Sequence, residues 1–346
     1  MVDIDCHSDI IGFHDDEVTL PAAERKDMRE RRDVGRDRLT KGLDTAGKPQ
    51  PKEMHSQGSY QMRTMVQDPD CDYDIDDGAY FAEEDLQDDE GVALSPLAAR
   101  QRVCDALAWD GRFKQSAEVR DNCVRQPYAI GYHIDVPVYR VLTEKVWTGD
   151  TITKYELASG DSWVISDARK VTKWFNDLVG ELNSGEADGS QMRRVTKLTK
   201  KFARRADWKD KATSGITITK LVVDNFSSNS NRDDIALRET WKNIYATLLL
   251  TTKVAHPVNP NNLAEDGDEK VAFFRDCLKS ALDDLLVLDD YNCTRADARS
   301  AWDRVFDTTH FSSRPDPDGG AKGVAPFIEV TSSGTAQRDD GGGRFG

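Results

Sequence analysis

Long hydrophobic runs are missing from this 346-residue chain: none approaches the roughly 20 apolar residues a membrane span needs. No membrane association is therefore expected. Paired cysteines are missing too. Cys6, Cys71, Cys104, Cys123, Cys277 and Cys293 are scattered with no Cys-x-x-Cys spacing. That argues against a zinc site or a disulfide framework and suits a reducing compartment. The first residues, Met1-Val-Asp-Ile-Asp-Cys-His, are acidic and lack the charged-then-apolar order of a secretion signal, so a cytoplasmic location is expected. Histidines are few, and His7, His14, His55, His133, His256 and His310 show no ligand spacing. Positive charge is scarce as well: 47 Lys and Arg stand against 62 Asp and Glu, a formal net charge of -15. Such a chain repels long nucleic acids unless it carries a local basic patch.

One patch exists. Arg193, Arg194, Lys197, Lys200, Lys201, Arg204 and Arg205 fall within a short stretch. Around it the sequence divides. Leu20 to about Leu43 suits a long helix, with Thr19 as its cap and Pro21 in its first turn. Tyr73 to Phe81 reads as a strand, and Ser95-Pro96 opens a helix reaching about Trp109. Tyr132 to Arg140 alternates, with Ile134, Val136 and Val138 on one face, as a half-buried strand does. Strand-like pieces lie near 119–125 and 151–165. Beyond these, apolar residues keep helical spacing at Val171, Trp174, Phe175, Leu178, Val179 and Leu182. They do so again at Leu237, Trp241, Ile244, Tyr245 and Leu248, and at Phe274, Leu278, Ala281, Leu282 and Leu285. These stripes are core. A mixed α/β part, residues 1–188, precedes a helical part, residues 189–330. The tail, 331–346, is Ser, Gly and Asp with little to bury and reads as disordered.

The chemistry is carried by carboxylates. Asp74 and Asp76 are two apart, so on a strand they share a face while Ile75 turns to the core. Neighbouring carboxylates repel unless a cation lies between them, and magnesium, hard and oxygen-seeking, is the natural one. Asp135 has the opposite parity to Ile134 and Val136. If its strand neighbours the first, three carboxylates meet, a set able to hold two metal ions. Upstream, Gly58-Ser59 offers a backbone and a hydroxyl that can approach a phosphate. In a chain with 62 acidic residues Asp-x-Asp alone arises by chance; the order Gly-Ser, Asp-x-Asp, then a third Asp is what makes it specific.

Gln57-Gly-Ser-Tyr-Gln-Met-Arg-Thr64, Tyr73-Asp-Ile-Asp-Asp-Gly78 and His133-Ile-Asp-Val-Pro-Val-Tyr139 together resemble the nucleotidyltransferases related to cyclic GMP–AMP synthase, most of all their bacterial DncV-type branch. The resemblance spans roughly residues 20–310. It implies an α/β fold: a polymerase-beta-like nucleotidyltransferase core with a mixed sheet, a helical second lobe, and a long N-terminal helix bracing both. It implies catalytic, metal-holding Asp74, Asp76 and Asp135, with two Mg2+ ions or Mn2+ in their place. Gln57, Gly58 and Ser59 would meet nucleotide. A lysine and a serine that bind the donor triphosphate in the family carry over to Lys200 and Ser214, leaving the other basic residues near Lys200 solvated. The loop His256-Pro-Val-Asn-Pro-Asn-Asn262 departs from the family's Asp-Pro-x-x-Pro-x-Asn turn at its first position.

The implied function is a cyclic dinucleotide synthase. It would join two purine nucleoside triphosphates, ATP and GTP, into cyclic GMP–AMP or a related ring, as a second messenger in bacterial defence against phage. Two alternatives remain open in the residues: a transferase of the same core that adds nucleotides to RNA or a small molecule, and a catalytically inactive scaffold. The tail ends in three glycines and Arg-Phe-Gly346. Some relatives of the DncV type are joined through their C-termini by a partner resembling ubiquitin-transfer enzymes, so the resemblance makes Gly346 a candidate handle for such a partner.

Overall fold

The computed structural model describes residues 4–68, 73–109, 116–128, 133–182, 190–208 and 211–315. The tail over 331–346 and the lobe boundary expected near residue 188 lie outside them. The chain opens with α1 (His7–Phe13) and a π-helical turn over His14–Val18. The long helix α2 (Ala22–Thr45) starts two residues later than expected, behind Pro21, and has no side-chain cap. Proline fixes the entry angle and has no N–H to satisfy. Thr19 is drawn elsewhere: its hydroxyl lies 3.2 Å from His14 Nε2 and accepts from Lys197 Nζ at 3.2 Å.

Next come β1 (Glu53–Gln57), the one-turn helix α3 (Gly58–Gln61), β2 (Asp74–Ala82) and α4 (Pro96–Ala108). Ser95 caps α4 as its sequence indicates, Oγ accepting from Ala98 N at 3.2 Å. Six strands follow: β3 (Glu118–Val119), β4 (Val124–Pro127), β5 (His133–Val136), β6 (Val138–Lys145), β7 (Thr151–Ser159) and β8 (Ser162–Ile165). They form one mixed sheet in the order β3-β4-β5-β2-β6-β7-β8, with β1 also paired to β2. The single strand expected over 132–140 is divided at Pro137, which has no N–H to give a ladder. The register to β2 nevertheless continues across the break: Asp76 faces Asp135 and Ala79 faces Val138. The Pro137 carbonyl accepts from Ala79 N at 2.9 Å.

The sheet packs through Ile75, Phe81, Ile134, Val136 and Val138 onto Met28, Leu39 and Leu43 of α2 and Val103 and Leu107 of α4. Two features hold α2 in place. Asp77, 1 % exposed, takes both arms of Arg36 and the Ser56 hydroxyl. At Gly42 the helices touch backbone to backbone, since a Cβ there would lie 2.0 Å from the Ala106 carbonyl oxygen.

The helical half comprises α5 (Ala168–Leu182), α6 (Gln191–Ala203), α7 (Gly215–Asn225) and α8 (Asp233–Leu250). After the short pair β9 (Val254–Ala255) and β10 (Asn262–Ala264) come α9 (Glu269–Asp284), α10 (Arg295–Phe306) and α11 (His310–Ser313). The expected stripes are largely core: Phe175, Val179, Leu237, Trp241, Ile244, Leu248, Phe274, Leu278 and Leu285 are buried, while Leu182, at the end of α5, is exposed. Ile10 and Phe13 of α1 join this helical core, Phe13 meeting Phe306 and Phe311 at ring distances of 4.6 and 4.8 Å. The brace expected of one long helix is thus shared, α1 serving the helical core and α2 the sheet. No described helix is long and apolar enough to cross a membrane.

Gly42→Ala should cost about 1–3 kcal/mol, the usual range for overpacking, because the obstacle is backbone and cannot rotate away. Chemical denaturation would show it as a lower midpoint at unchanged slope; an unaltered midpoint would mean α2 and α4 part freely.

Candidate active site

The strand pattern sets the site. On β2, Asp74 and Asp76 share a face and Asp77 takes the other, where Arg36 neutralises it. On β5, Asp135 stands in register with Asp76, and His133 with Asp74. In a parallel pair, residues in register point the same way, so all three sequence-predicted aspartates occupy one face of two adjacent strands. On the other edge of β2, Gln57 of β1 stands opposite Asp76.

Gly58 follows immediately, and two constraints fix it as glycine. Its φ is +64°, in the left-handed region, and a Cβ there would lie 2.2 Å from Asp76 Oδ2. The backbone entering α3 therefore passes hard against the Asp76 carboxylate. Ser59 comes next, its hydroxyl making no hydrogen bond among the described residues. Gln57 lines a cavity together with Gly58, Asp76 and Asp135. Its buried amide donates to Tyr139 OH at 3.1 Å and accepts from Tyr80 OH at 3.1 Å. Those two rings stack at 4.5 Å, so Gln57 ties the strands together beside the carboxylates, on the same face of the sheet.

Electrostatically the face is strained. Burial, then the charges of Asp74 and Asp135, push the Asp76 carboxyl up to about 7, with Arg125 pulling the other way. Arg125 is the residue that sequence reasoning missed. It stands opposite Asp135 on β4 and grips it bidentately, Nε to Oδ1 at 2.8 Å and an Nη to Oδ2 at 2.7 Å. Asp76, Asp135 and Arg125 line one cavity of about 550 Å³, with Gly58, Cys123 and Tyr139. Among the described residues no three carboxylate, imidazole or thiol groups stand close enough to hold a metal ion as they are. Asp135 has turned both oxygens to Arg125.

From the helical half, Lys200 reaches in from α6. It is 4 % exposed, and its ammonium donates to Thr64 Oγ1 at 3.0 Å. Burial, reinforced by Arg204, lowers its pKa to about 7, while the charge of Asp74 raises it. Thr64, which closes the Gly-Ser segment, is a second residue not singled out from sequence. Ser214 caps α7, its Oγ accepting from Thr217 N at 3.3 Å, and Gly215 beside it lies against the end of Lys200. Lys200 and Ser214 are thus brought together, with Asp74 within the electrostatic reach of the lysine. The expectation that the other basic residues near Lys200 are solvated holds for Arg204, which is exposed, and fails for Arg193 and Arg194. Arg193 is buried, donating to Met62 O at 3.1 Å, and Arg194 pairs with buried Asp233 at 2.6 Å. α6 is a central helix, so its long side chains have protein on nearly every side.

Asp76 holds its proton more tightly folded than unfolded. Its contribution to stability is therefore complete below about pH 4 and lost as pH rises through about 7. In EDTA, Asp76→Asn should melt higher than wild type, and by a wider margin at about pH 8 than at about pH 5. Scanning calorimetry at both pH values checks this; equal margins would contradict the repulsion.

Residues 52–139 match the family described as "Cyclic GMP-AMP synthase DncV-like, nucleotidyltransferase domain". Among solved structures the chain is similar to Escherichia coli MS115-1 CdnC with ATP: 18 % identical, covering 89 % of this chain and 99 % of that one, TM-score 0.64. It is similar too to a mutant of the Vibrio cholerae di-nucleotide cyclase DncV: 17 % identical, 87 % and 95 % covered, TM-score 0.67. A third is Vibrio cholerae DncV in complex with nonhydrolyzable GTP: 16 % identical, 87 % and 95 % covered, TM-score 0.66. At these identities the likeness speaks for the fold, and the family match covers β1, β2 and β5, the strands that carry the aspartates. Over residues 52–139, which carry all three aspartates, the chain is similar to the nucleotidyltransferase domain of the cyclic GMP–AMP synthase DncV-like family.

Proposed function

We propose that this nucleotidyltransferase is a cyclic dinucleotide synthase that joins ATP and GTP, or two related purine triphosphates, into a ring such as cyclic GMP–AMP. The observation that carries the reading is Asp76 in register with Asp135 across β2 and β5, with Asp74 on the same face. The donor set is wholly carboxylate oxygen, and the raised proton affinity of Asp76 marks a place that attracts positive charge, so the residues fit Mg2+, or Mn2+. Asp74, Asp76 and Asp135 would hold the ions, Asp135 first releasing Arg125. Two such ions, when bound, activate an attacking hydroxyl and steady the leaving pyrophosphate.

The rest is the work of the chain. The Gly58 backbone and the Ser59 hydroxyl lie where a phosphate beside Asp76 would need donors. Lys200 supplies a charge buried enough to count heavily against a triphosphate, with Ser214 and the start of α7 next to it. Arg125, once released, offers its planar fork to a phosphate oxygen pair. Among the similar structures, one of Escherichia coli CdnC holds ATP and one of Vibrio cholerae DncV holds nonhydrolyzable GTP, which supports triphosphates as substrates here. A small cyclic product of this kind is a diffusible signal, and we assign it to bacterial defence against phage.

Incubated with magnesium, ATP and GTP, the protein should yield a phosphatase-resistant product without a primer, read by mass spectrometry. Asp74→Asn with Asp76→Asn should abolish it without lowering the melting temperature in EDTA. Extension of added RNA, or full activity in the double variant, would overturn the proposal. Lys200 gives a second check. Its ammonium is partly deprotonated at about pH 8 and should take up a proton when a triphosphate arrives. Calorimetry in two buffers of different ionisation enthalpy should show that uptake in wild type and none in Lys200→Met.

A further inference from the structure

A second cavity, of about 640 Å³, shares no lining residue with the cavity of Asp76 and Asp135. Its walls come from the start of α2, the turn of α3 and the outer part of α6. Six cations line it: Arg25, Lys26, Arg29, Arg63, Arg193 and Lys197. Among the described residues no carboxylate lines it. The buried members are not neutralised by their hydrogen bonds. Arg193, 9 % exposed, donates to Met62 O at 3.1 Å and to Asn176 Oδ1 at 3.2 Å, both uncharged. Lys197 donates to the Thr19 hydroxyl at 3.2 Å. Burial, then the charges of Arg25 and Arg193, bring Lys197 down to about 8, which shows how closely like charges are gathered. The acids that act on these cations stand outside the walls: Glu30 reaches Lys26 at 3.7 Å at the surface, Asp33 acts on Arg29 along α2, and Asp15 acts on Lys197 from the π-helical turn.

Gathering like charges from three elements is unfavourable unless an anion repays it. Four of the six are arginines, whose forks match phosphate oxygens in pairs. Tyr60, Leu20 and Met65 add an aromatic and apolar side. We propose that this cavity binds a small polyanion carrying several phosphate groups, at a place separate from nucleotidyl transfer. The site goes beyond the function proposed above and does not depend on which product is made. Its walls adjoin the catalytic ones: Tyr60 follows Ser59 in α3, and Lys197 precedes Lys200 on α6 by less than one turn. An occupant would bear on both.

Calorimetry with sodium tripolyphosphate in EDTA isolates the cavity, because without metal the three aspartates repel a triphosphate. Wild type should bind. Arg25→Glu with Arg29→Glu, both at exposed positions, should weaken binding about tenfold or more, the loss expected for charge-assisted contacts. Equal reversals outside the cavity, Lys41→Glu with Lys253→Glu, and Lys200→Ala should leave it unchanged. A second pair, Lys26→Ala with Arg63→Ala, should weaken it too and stands in if the first melts early. GTP tested the same way separates the sources: tighter than tripolyphosphate supports a nucleotide, weaker supports an inorganic polyphosphate. Absence of tripolyphosphate binding, binding lost with Lys200→Ala but kept in both cavity pairs, or binding of duplex RNA alone would overturn the site.

Discussion

The register that sets Asp76 against Asp135 is the constraint on which the rest of the sheet depends. Two carboxylates on adjacent parallel strands, with Asp74 two residues away, make a face that is unfavourable in itself. Around that fact the other choices fall into place. Arg125 on β4 answers Asp135, and the backbone at Gly58 is drawn against Asp76. Beside them, on the same face, Gln57, Tyr80 and Tyr139 hold the strands in position. β2 is therefore held differently on its two faces: Arg36 pairs with Asp77 on one, while on the other Asp76 stands against the charges of Asp74 and Asp135.

Buried charge is used elsewhere to fasten rather than to react. Asp9 of α1 takes Arg295 and Arg299 of α10, and Asp233 of α8 takes Arg194 of α6. Such pairs contribute less to net stability than their number suggests, since each ion gives up hydration. What they do supply is alignment: an aspartate gripped by guanidinium groups of another helix fixes the position of its own helix against it. Here they tie the first helix of the chain to nearly the last.

Much of this was legible in the sequence. Asp74 and Asp76 could be placed on one face because strand parity is strict, whereas their meeting with Asp135 hung on β2 and β5 being neighbours; the apolar stripes of α5, α8 and α9 were legible because helical spacing is nearly as strict as parity. Arg125 could not be found, because its partner depends on how β4 pairs with β5, and no local pattern reports pairing. Thr19 had the chemistry of a helix cap but was claimed by His14 and Lys197, which are distant in sequence or on another element. Pro137 was visible, yet its effect was not: it divides the strand while leaving the register to β2 intact. The basic stretch of α6 read as solvent-facing because charge alone says so; burial there follows from the helix being central, which is a property of the whole fold.

The packing of Phe13 against Phe306 and Phe311 has a consequence for how the molecule is made. Phe13 completes a core whose other members lie as far along the chain as Phe311. The sheet can begin to order once β5 and β6 are made, but the helical core must wait until α10 and Phe311 are made as well. Until then Ile10 and Phe13 are exposed apolar side chains without a home. Closing so long a loop is slow, which makes this segment the place where a chaperone would do most good and where an early ribosomal pause would do most harm.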